Sequence, residues 1–405
     1  MAALLPFRAL RPTPASASRV AAVPYDVVNT DEARVLAQGN PLSFLHVSRA
    51  EIDLPLDTNP YSDAVYAKSG ENFDTLKRRA PLVIEDAPAI YVYRLCMGAH
   101  EQTGVAACYS LEEYVSGVIK KHEHTRRDKE DDRTRHMLAL RAQTGPVFLT
   151  YRASGAVDAV VTGTTADAPL FDFTAEDSVR HQVWKANPRD QQALIAAFGS
   201  IPALYIADGH HRAASAARAR QELRGSARAS GEWDAFVAVA FPDNQMQVLP
   251  YNRVVKDLGR WSPDSLLEEL RKRFTVTDGP ATPRQRGDVA VCLGGTWHTL
   301  QLGEPPAGLS AAERLDVSRL QDAVLAPLLG IGDVRSDKRI DFVGGARGTD
   351  ALERLVASGS AAIACSLFPV SVDDLMSVCD AGGIMPPKST WFEPKLRDGL
   401  LSHVI

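Results

Sequence analysis

Short apolar runs bounded by turn residues alternate along this chain with segments of helical periodicity. Runs rich in β-branched and aromatic residues predict strands, at 43–47, 90–96, 103–109, 146–151, 204–207, 236–241, 246–249, 289–293, 297–302 and 362–368. Apolar positions spaced three and four apart predict helices, at 31–38, 191–198, 213–223, 262–274, 316–329, 349–358 and 372–379. Because strands and helices interleave, the pattern predicts a mixed α/β (α+β) architecture.

Two local predictions are more specific. Ser110 to Glu113 has the spacing of a capping box, which predicts a helix whose apolar face runs to Ile119. The strands at 236–241 and 246–249 are expected to pair with each other around the turn at 242–244.

The length of 405 residues predicts two or three domains. Boundaries near residues 100 and 258 divide the chain into an N-terminal α/β segment (1–100), a central domain (101–258) and a C-terminal α/β domain (259–405). With 45% hydrophobic and 23% charged residues, the chain has the composition of an ordinary globular protein.

The charge and the cysteines exclude several classes of protein. A formal charge of −5 gives no basic footprint, so no nucleic-acid partner is expected. No apolar stretch reaches membrane-spanning length, and the N-terminus lacks the apolar core of a secretory signal. The 5 cysteines form no CxxC pair, which favours reduced thiols and a cytoplasmic protein. The oligomeric state stays open.

The sharpest chemical signal follows the strand at 204–207. Asp208 and Gly209 form a tight turn into a helix, and His210, His211 and Arg212 open that helix. A helix N-terminus attracts anions, and an arginine can grip a phosphate with two parallel hydrogen bonds. Asp208 could hold Mg²⁺, orient a histidine or bind a substrate amine. The alternative is a helix-capping aspartate followed by surface residues; a metal site made by the two adjacent histidines lacks a third ligand at the usual spacing.

A second cluster lies in the most charged segment, where 12 of the 16 residues 120–135 are Asp, Glu, Lys or Arg. Its candidate site residues are His122, Glu123, Thr125, Lys129, Asp132 and Arg133. The alternative is a solvated helix face with ion pairs between neighbouring turns, opened by a capping box from Thr125 to Asp128.

Three weaker candidates complete the set. Lys388, Ser389 and Thr390, with Lys395 further on, form a proline-rich loop whose cations and hydroxyls suit an anionic ligand. The loop lacks the spacing of a phosphate-binding P-loop. Trp184 is either core or the wall of a base pocket, and Arg253 is either a substrate ligand or a structural ion-pair partner.

These motifs carry a resemblance to a family. In chain order they are Pro24-Tyr25-Asp26-Val27, His122-Glu123-x-Thr125 with Asp132-Arg133, residues 207–212, and Pro386-Pro387-Lys388-Ser389-Thr390. Their order resembles the bacterial and archaeal family called domain of unknown function 1015, over nearly the whole chain. That family name implies no activity.

The central domain also resembles the ParB/sulfiredoxin-like superfamily, and within it the free serine kinases. By that resemblance, Asp208 to Arg212 would contact nucleotide phosphates and Glu123 would be the base towards a serine hydroxyl. This resemblance covers residues 100–260. From the residues themselves we expect His210 and His211 to take part in catalysis, the 388–390 loop to contact phosphate, and ATP or ADP with Mg²⁺ to be the cofactors.

The resulting hypothesis is a nucleotide-dependent phosphotransferase for a small hydroxyl compound, with free L-serine or O-phosphoserine as the best candidate in either direction. Phosphoryl transfer needs charge neutralisation and positioning more than covalent catalysis, which suits these residues. Two alternatives remain open at this stage. One is a regulatory module that binds CTP or ATP without phosphoryl transfer, and the other is a phosphoesterase.

Overall fold

The computed structural model describes residues 2–80, 82–225 and 230–405. The chain forms two compact units that are discontinuous in sequence. The first unit consists of residues 1–121, 125–246 and 394–405, and the second consists of residues 122–124 and 247–393. The division into domains 1–100, 101–258 and 259–405 stays a prediction.

The first unit is built on a mixed sheet that has nine strands in the described part of the chain. Its order is Ile119–Lys120, Leu204–Asp208, Val147–Tyr151, Ala235–Pro242, His100–Ser110, Tyr91–Met97, Arg180–Lys185 and Phe171–Thr174, with Leu4–Leu5 paired to His100–Ser110. A smaller sheet contains Leu82–Ile84, Ala9–Pro12, Ser402–Val404 and Ala142–Gln143. The helices of this unit are Ala17–Val20, Thr30–Ala37, Leu45–Ser48, Asp63–Arg79, Leu111–Ser116, Arg127–Leu140, Gly155–Thr164, Pro188–Phe198 and His210–Arg224.

The core of the first unit lies between this sheet and the helix His210–Arg224. Ala213, Ala216 and Ala219 recur on the buried face of that helix and belong to the same cluster as Leu149 and Ile206 of the central strands. Such small side chains let a helix lie close to a sheet. The helix start is therefore held tightly against the strand that precedes it.

The second unit has its own antiparallel sheet. The strand order is Thr275–Asp278, Thr296–Gln301, Asp288–Leu293, Ile363–Leu367, Tyr251–Val255 and Ile340–Gly344, and a separate pair joins Gln247–Leu249 to Trp391–Glu393. Its helices are Pro263–Arg273, Asp316–Leu320, Gly348–Ala357 and Val372–Asp380, with a π-helical turn at Gln321–Leu325. Both units combine sheets with helices, so the mixed α/β architecture is confirmed.

Two predicted strands differ from the structure. Residues 43–47 contain the short helix Leu45–Ser48, in which Phe44, Leu45 and Val47 are all buried. Three apolar residues among five do not distinguish a buried helical turn from a strand by periodicity alone. The strand Gln247–Leu249 pairs with Trp391–Glu393, not with residues 236–241, because a strand that short takes its partner from tertiary packing.

The helix predicted after Ser110 begins where expected but is shorter. The Ser110 hydroxyl accepts the N–H groups of Glu112 and Glu113. The carboxylate of Glu113 accepts the N–H of Ala3 at 3.0 Å instead of closing a capping box. Gly117, at φ 84°, ends the helix, and Ile119 starts a strand.

Across residues 2–80, 82–225 and 230–405, no helix combines the length and the apolar character needed to cross a membrane.

Candidate functional site

The turn at residues 208–212 joins the second strand of the large sheet, next to the short edge strand Ile119–Lys120, to a helix. The strand Leu204–Asp208 runs antiparallel to Val147–Tyr151, and its register shifts between Ile206 and Asp208. Gly209 then adopts φ 94°, a left-handed conformation that a residue with a side chain adopts only with strain. This glycine lets the chain reverse at once into the helix His210–Arg224.

The first turn of that helix is arranged to receive an anion. The N–H groups of a first helical turn point out along the helix axis, and the helix dipole adds a partial positive charge there. A Cβ atom on Gly209 would lie 3.2 Å from Cζ of Arg212, so the guanidinium packs directly beneath the glycine. Arg212 thus lies at the positive end of the helix.

Arg212 is the buried centre of a charge cluster. Its side chain is only 5% exposed, and Nη1 donates to the backbone oxygen of Pro146. Nη2 lies 3.5 Å from Oδ2 of Asp26 and 3.6 Å from Oδ2 of Asp208. Among the described residues, neither Nε nor Nη2 of Arg212 has a hydrogen-bond partner. Two donors of a buried guanidinium are therefore available to a ligand.

Asp208 is paired with cations on one oxygen and with the backbone on the other. Oδ1 accepts the N–H of Gly209 at 2.9 Å, and Oδ2 accepts from Nζ of Lys395 at 3.2 Å. Burial alone would raise the pKa of Asp208, but Lys395 and Arg212 hold that pKa well below its ordinary value. Asp208 is therefore ionised at neutral pH.

These contacts do not form a magnesium site. Mg²⁺ prefers near-octahedral oxygen ligands, and Asp208 is already compensated by two cations. In the part of the chain that the structure describes, no group of three or more His, Cys, Asp or Glu side chains is arranged to hold a metal. The donor set does not fit a protein-held Mg²⁺, so no step is derived through one.

A third carboxylate borders the cluster. Asp398 is 3% exposed, and its backbone pairs with Ala22, four residues before Asp26. Burial and the nearby Asp26 raise the pKa of Asp398 to about 7, although Arg212 and Arg133 act in the opposite direction. Asp398 is therefore the group of this cluster that titrates near neutral pH.

The two histidines of the turn have different surroundings. His210 is 4% exposed. Nε2 of His211 accepts the backbone N–H of Arg126 at 3.0 Å, which leaves Nδ1 as the protonated nitrogen of a neutral ring. His211 thereby connects the turn to the start of the helix Arg127–Leu140.

Residues 125–135 of the charged segment belong to the first unit together with that helix, which begins at Arg127. The hydroxyl of Thr125 donates to Glu130, so the capping box predicted from Thr125 to Asp128 is wrong, and the helix begins after Arg126 with no side-chain cap. Nζ of Lys129 donates to the Tyr61 hydroxyl at 2.7 Å. The first contact is local, and the second joins this helix to a residue 68 positions earlier in the chain.

Asp132 and Arg133 form a buried ion pair on the same helix. Nε of Arg133 donates to Asp132 at 2.9 Å, and the Tyr66 hydroxyl donates to the same carboxylate at 2.8 Å. Burial raises the pKa of Asp132, but Arg133 and Tyr66 bring it below its ordinary value. The guanidinium of Arg133 lies 4.0 Å from the ring centre of Tyr25, the neighbour of Asp26. This pair supports the segment that carries Asp26.

The remaining candidate of the first unit is Trp184. It is 3% exposed, and Nε1 donates to the backbone oxygen of Asp167 at 2.8 Å. The guanidinium carbon of Arg94 lies 5.2 Å from the centre of its ring. The indole is therefore packed within the sheet region.

His122 and Glu123 belong to the second unit, together with Arg253 and the loop 386–390. His122 is 2% exposed, and its backbone oxygen accepts the N–H of Met385 at 2.8 Å. The segment 122–124 is therefore bound to the residue that precedes the loop.

The side chain of Arg253 fixes the backbone of the loop 386–390. It is 2% exposed and donates to the backbone oxygens of Tyr251, Pro387 (3.3 Å) and Lys388 (3.0 Å). Burial lowers the pKa of Arg253 to about 10. The Ser389 hydroxyl donates to the backbone oxygen of Pro386 at 2.6 Å, and Lys388 adopts φ 57°. The loop is therefore internally fixed.

The structure thus brings Asp208 to Arg212 together with Asp26 and Asp398, which the candidate set omitted, and with Lys395, which the sequence had grouped with the loop 388–390. Two signals for them were present in the sequence. The Pro24-Tyr25-Asp26 motif stood among the family-like motifs, and Lys395 followed the basic loop. Asp398 had no signal, because nothing local marks a carboxylate that tertiary structure buries.

A sequence model of the family described as "Protein of unknown function (DUF1015)" matches residues 4–318. The chain belongs to this family. The DUF1015 match confirms the family resemblance of the motifs that lie within residues 4–318 and carries no activity with it. No curated protein matches the chain.

Solved structures with some similarity to this DUF1015 chain share little sequence with it. SbnI with C-terminal truncation from Staphylococcus aureus is 13% identical, covering 72% of this chain and 85% of that one, with a TM-score of 0.38. A point mutant of a free serine kinase in complex with ADP is 14% identical, covering 73% and 92%, with a TM-score of 0.36. A conserved hypothetical protein from Pyrococcus furiosus is 15% identical, covering 74% and 94%, with a TM-score of 0.35. At these TM-scores the similarities add no argument about the site or its activity.

Proposed function

We propose that this protein is a nucleotide-dependent phosphotransferase acting on a small hydroxyl compound, with free L-serine or O-phosphoserine as its substrate. The observation that carries the proposal is the Asp208–Arg212 turn. It combines a left-handed Gly209, the N-terminus of a 15-residue helix and a buried guanidinium with two nitrogens that lack a hydrogen-bond partner. These three features suit a phosphate group better than a neutral ligand.

In the proposed reaction the turn binds the phosphates of ATP or ADP, and the terminal phosphoryl group passes to the substrate hydroxyl. The hydroxyl oxygen forms the new O–P bond while the phosphoanhydride bond breaks, and ADP or AMP leaves. Glu123 takes the proton of the hydroxyl, a role that the sequence resemblance to free serine kinases suggests. The reverse reaction would give serine from phosphoserine with the same groups. Magnesium would enter with the nucleotide, since metal-bound nucleotide phosphates are common where the protein supplies few ligands.

The test is an assay of phosphorylated product with ATP and with ADP on serine, homoserine, threonine and glycerate. Phosphoserine is the expected product. The variant Glu123→Gln should lower kcat about 10²- to 10⁴-fold, the usual contribution of a general base, while nucleotide affinity stays unchanged. Glu112→Gln is the matched control, because that carboxylate is 73% exposed and lies in the helix Leu111–Ser116, which does not contain Glu123.

The other outcomes separate the alternatives. Phosphate release that needs no acceptor would indicate a phosphoesterase. Tight nucleotide binding without turnover on any acceptor would indicate a regulatory module. Equal kcat values for wild type and Glu123→Gln would remove Glu123 from the mechanism.

A further inference from the structure

We propose that Lys395 is a phosphate-binding residue of the Asp208–Arg212 turn. The inference deepens the proposed function, on which it rests for the identity of the ligand as a nucleotide. Lys395 lies beyond residues 4–318, the part of the chain that matches the family model. The site would thus be completed by the last residues of the chain.

The segment that carries Lys395 is fixed within the first unit, where residues 394–405 belong. Two residues after Lys395, Nε of Arg397 donates to Nε2 of the buried His181 at 3.1 Å. The N–H of Gly399 donates to the backbone oxygen of Thr144 at 3.0 Å, and that of Ile405 donates to Arg141 at 2.9 Å. The chain that follows Lys395 is therefore held in place by several contacts that do not involve the Lys395 side chain.

The side chain of Lys395 is directed to the turn. It is 11% exposed, and its ammonium group lies 3.2 Å from Oδ2 of Asp208. The other oxygen of Asp208 binds the N–H of Gly209, the residue before the helix. Lys395 therefore places a third positive group, after the helix dipole and Arg212, at the position proposed for the phosphates.

The two cations suit different tasks. Arg212 is anchored by its hydrogen bond to Pro146, so its guanidinium is fixed beneath Gly209. Lysine is a compact charge on a flexible four-carbon stem and can change partners at small cost. When a phosphate binds, Lys395 can turn from Asp208 to the ligand. Asp208 then keeps its contacts with Gly209 and Arg212, so its charge is not left without compensation.

A simpler role for Lys395 is the neutralisation of Asp208, a partly buried carboxylate. The two roles predict different behaviour when Asp208 is also changed. If Lys395 only neutralises Asp208, removing its charge should have no effect on phosphate affinity in a D208N background. If Lys395 binds phosphate, its removal should weaken binding in both backgrounds.

The experiment measures the affinity of the full chain for inorganic pyrophosphate and for ADP by calorimetry. The proteins are wild type, Lys395→Met, K395R, D208N and the double variant. Methionine keeps the apolar stem of lysine, and arginine keeps the charge. Lys185→Met is the matched control, because it removes another lysine that pairs with a carboxylate, Glu85, in the same unit.

Lys395→Met should weaken pyrophosphate and ADP binding about 10- to 100-fold, the effect of one charge-assisted hydrogen bond, in both the wild-type and the D208N backgrounds. K395R should recover part of that affinity, and Lys185→Met should leave it unchanged. If Lys395→Met alone fails to fold, the comparison of the double variant with D208N carries the test, because no carboxylate there loses its cation.

Equal affinities of D208N and the double variant would overturn the proposal and leave Lys395 a neutralising group. Pyrophosphate binding that depends on Lys395 in a protein that phosphorylates no hydroxyl acceptor would support the phosphate site while the proposed function fails. Serine phosphorylation with unchanged ADP affinity in Lys395→Met would overturn the role of Lys395 while the proposed function stands. A wild type that binds neither probe would overturn both.

Discussion

The molecule has two basic segments that the sequence marked as anion sites, and they use their buried arginines in opposite ways. At the 208–212 turn of the first unit, Arg212 lies among carboxylates, 3.5 Å from Asp26 and 3.6 Å from Asp208. At the 386–390 loop of the second unit, Arg253 donates to backbone oxygens, and among the described residues no carboxylate forms an ion pair with it.

This difference distinguishes a candidate binding site, the 208–212 turn, from a structural role, that of Arg253 beside the loop 386–390. The hydrogen bonds that Arg253 donates hold the loop in one conformation. Arg253 therefore fixes the backbone that carries Lys388, Ser389 and Thr390. Arg212 keeps Nε and Nη2 without hydrogen-bond partners in a cluster whose charges nearly balance. An added anion can therefore be accommodated at the turn by a rearrangement of ion pairs, whereas both terminal nitrogens of Arg253 already donate to backbone oxygens.

The largest expected effect comes from removing the two arginines. Arg212→Ala removes a buried cation from beside Asp208 and Asp26, whose side chains are 28% and 36% exposed. Because both carboxylates stay partly solvated and Asp208 keeps Lys395, the free energy of unfolding should fall by about 3 kcal/mol, the lower end for a broken buried pair. Arg253→Ala leaves only neutral carbonyl groups without donors and should cost about 1–3 kcal/mol. Urea unfolding of both variants with the wild type measures the difference.

The effect of bound ADP on the unfolding midpoint should distinguish the two arginines further. Saturating ADP should raise the unfolding midpoint of Arg253→Ala as it does that of wild type, because the 208–212 turn is intact. Arg212→Lys, which keeps the charge but loses the planar donor set, should show a smaller ADP effect than wild type. Equal costs for the two alanine variants would contradict the contrast between the clusters.

A smaller effect is expected from the glycine that opens the turn. Gly209→Ala forces a side chain into φ 94° and places a Cβ atom 3.2 Å from Arg212. The strain should cost about 1–2 kcal/mol, and the displaced guanidinium should lower ADP affinity. Gly117→Ala is the matched control, because Gly117 has φ 84° and open space around its Cβ position. If both variants bind ADP equally well, the packing of Arg212 beneath Gly209 has no role in binding.

The sequence was sufficient for the local part of this site. The strand, the glycine and the Ala-rich helix at 204–224 follow from apolar runs and turn chemistry, and the structure has all three. Helices such as Pro263–Arg273 were also predictable, because a Ser-Pro start and an apolar stripe are local signals.

What the sequence could not supply are contacts between distant segments. Asp26, Arg212 and Asp398 are separated by more than 180 residues in the chain, and only the sheet and the C-terminal strand bring them together. The short strand at 247–249 was given the wrong partner for the same reason. Periodicity indicates which face of a helix or strand is buried, but it does not indicate which other element that face packs against.

The smallest expected effect is a change of stability with pH. It again distinguishes the 208–212 turn from the loop 386–390, because a carboxyl group beside the turn, that of Asp398, titrates near neutral pH. Asp398 keeps its proton up to a pKa of about 7 in the folded protein, mainly because of burial. In the unfolded chain an aspartate has a pKa of about 3.9 and therefore loses its proton at a lower pH than in the folded protein. Between about pH 4 and pH 7 the folded state therefore binds the extra proton, and stability falls as the pH rises.

Asp398→Asn removes this titration. The free energy of unfolding of wild type should fall between pH 5 and pH 7 by about 1 kcal/mol per pH unit relative to that of Asp398→Asn. Above pH 7 the variant should be the more stable protein, because the wild-type carboxylate is then ionised among Asp26 and Asp208. Urea unfolding at pH 5, 6, 7 and 8 measures both slopes. The control is Asp31→Asn, whose carboxylate is 91% exposed and should leave the wild-type slope unchanged. Identical slopes for wild type and Asp398→Asn would mean that Asp398 is ionised throughout this range, and that Arg212 balances three carboxylates instead of two.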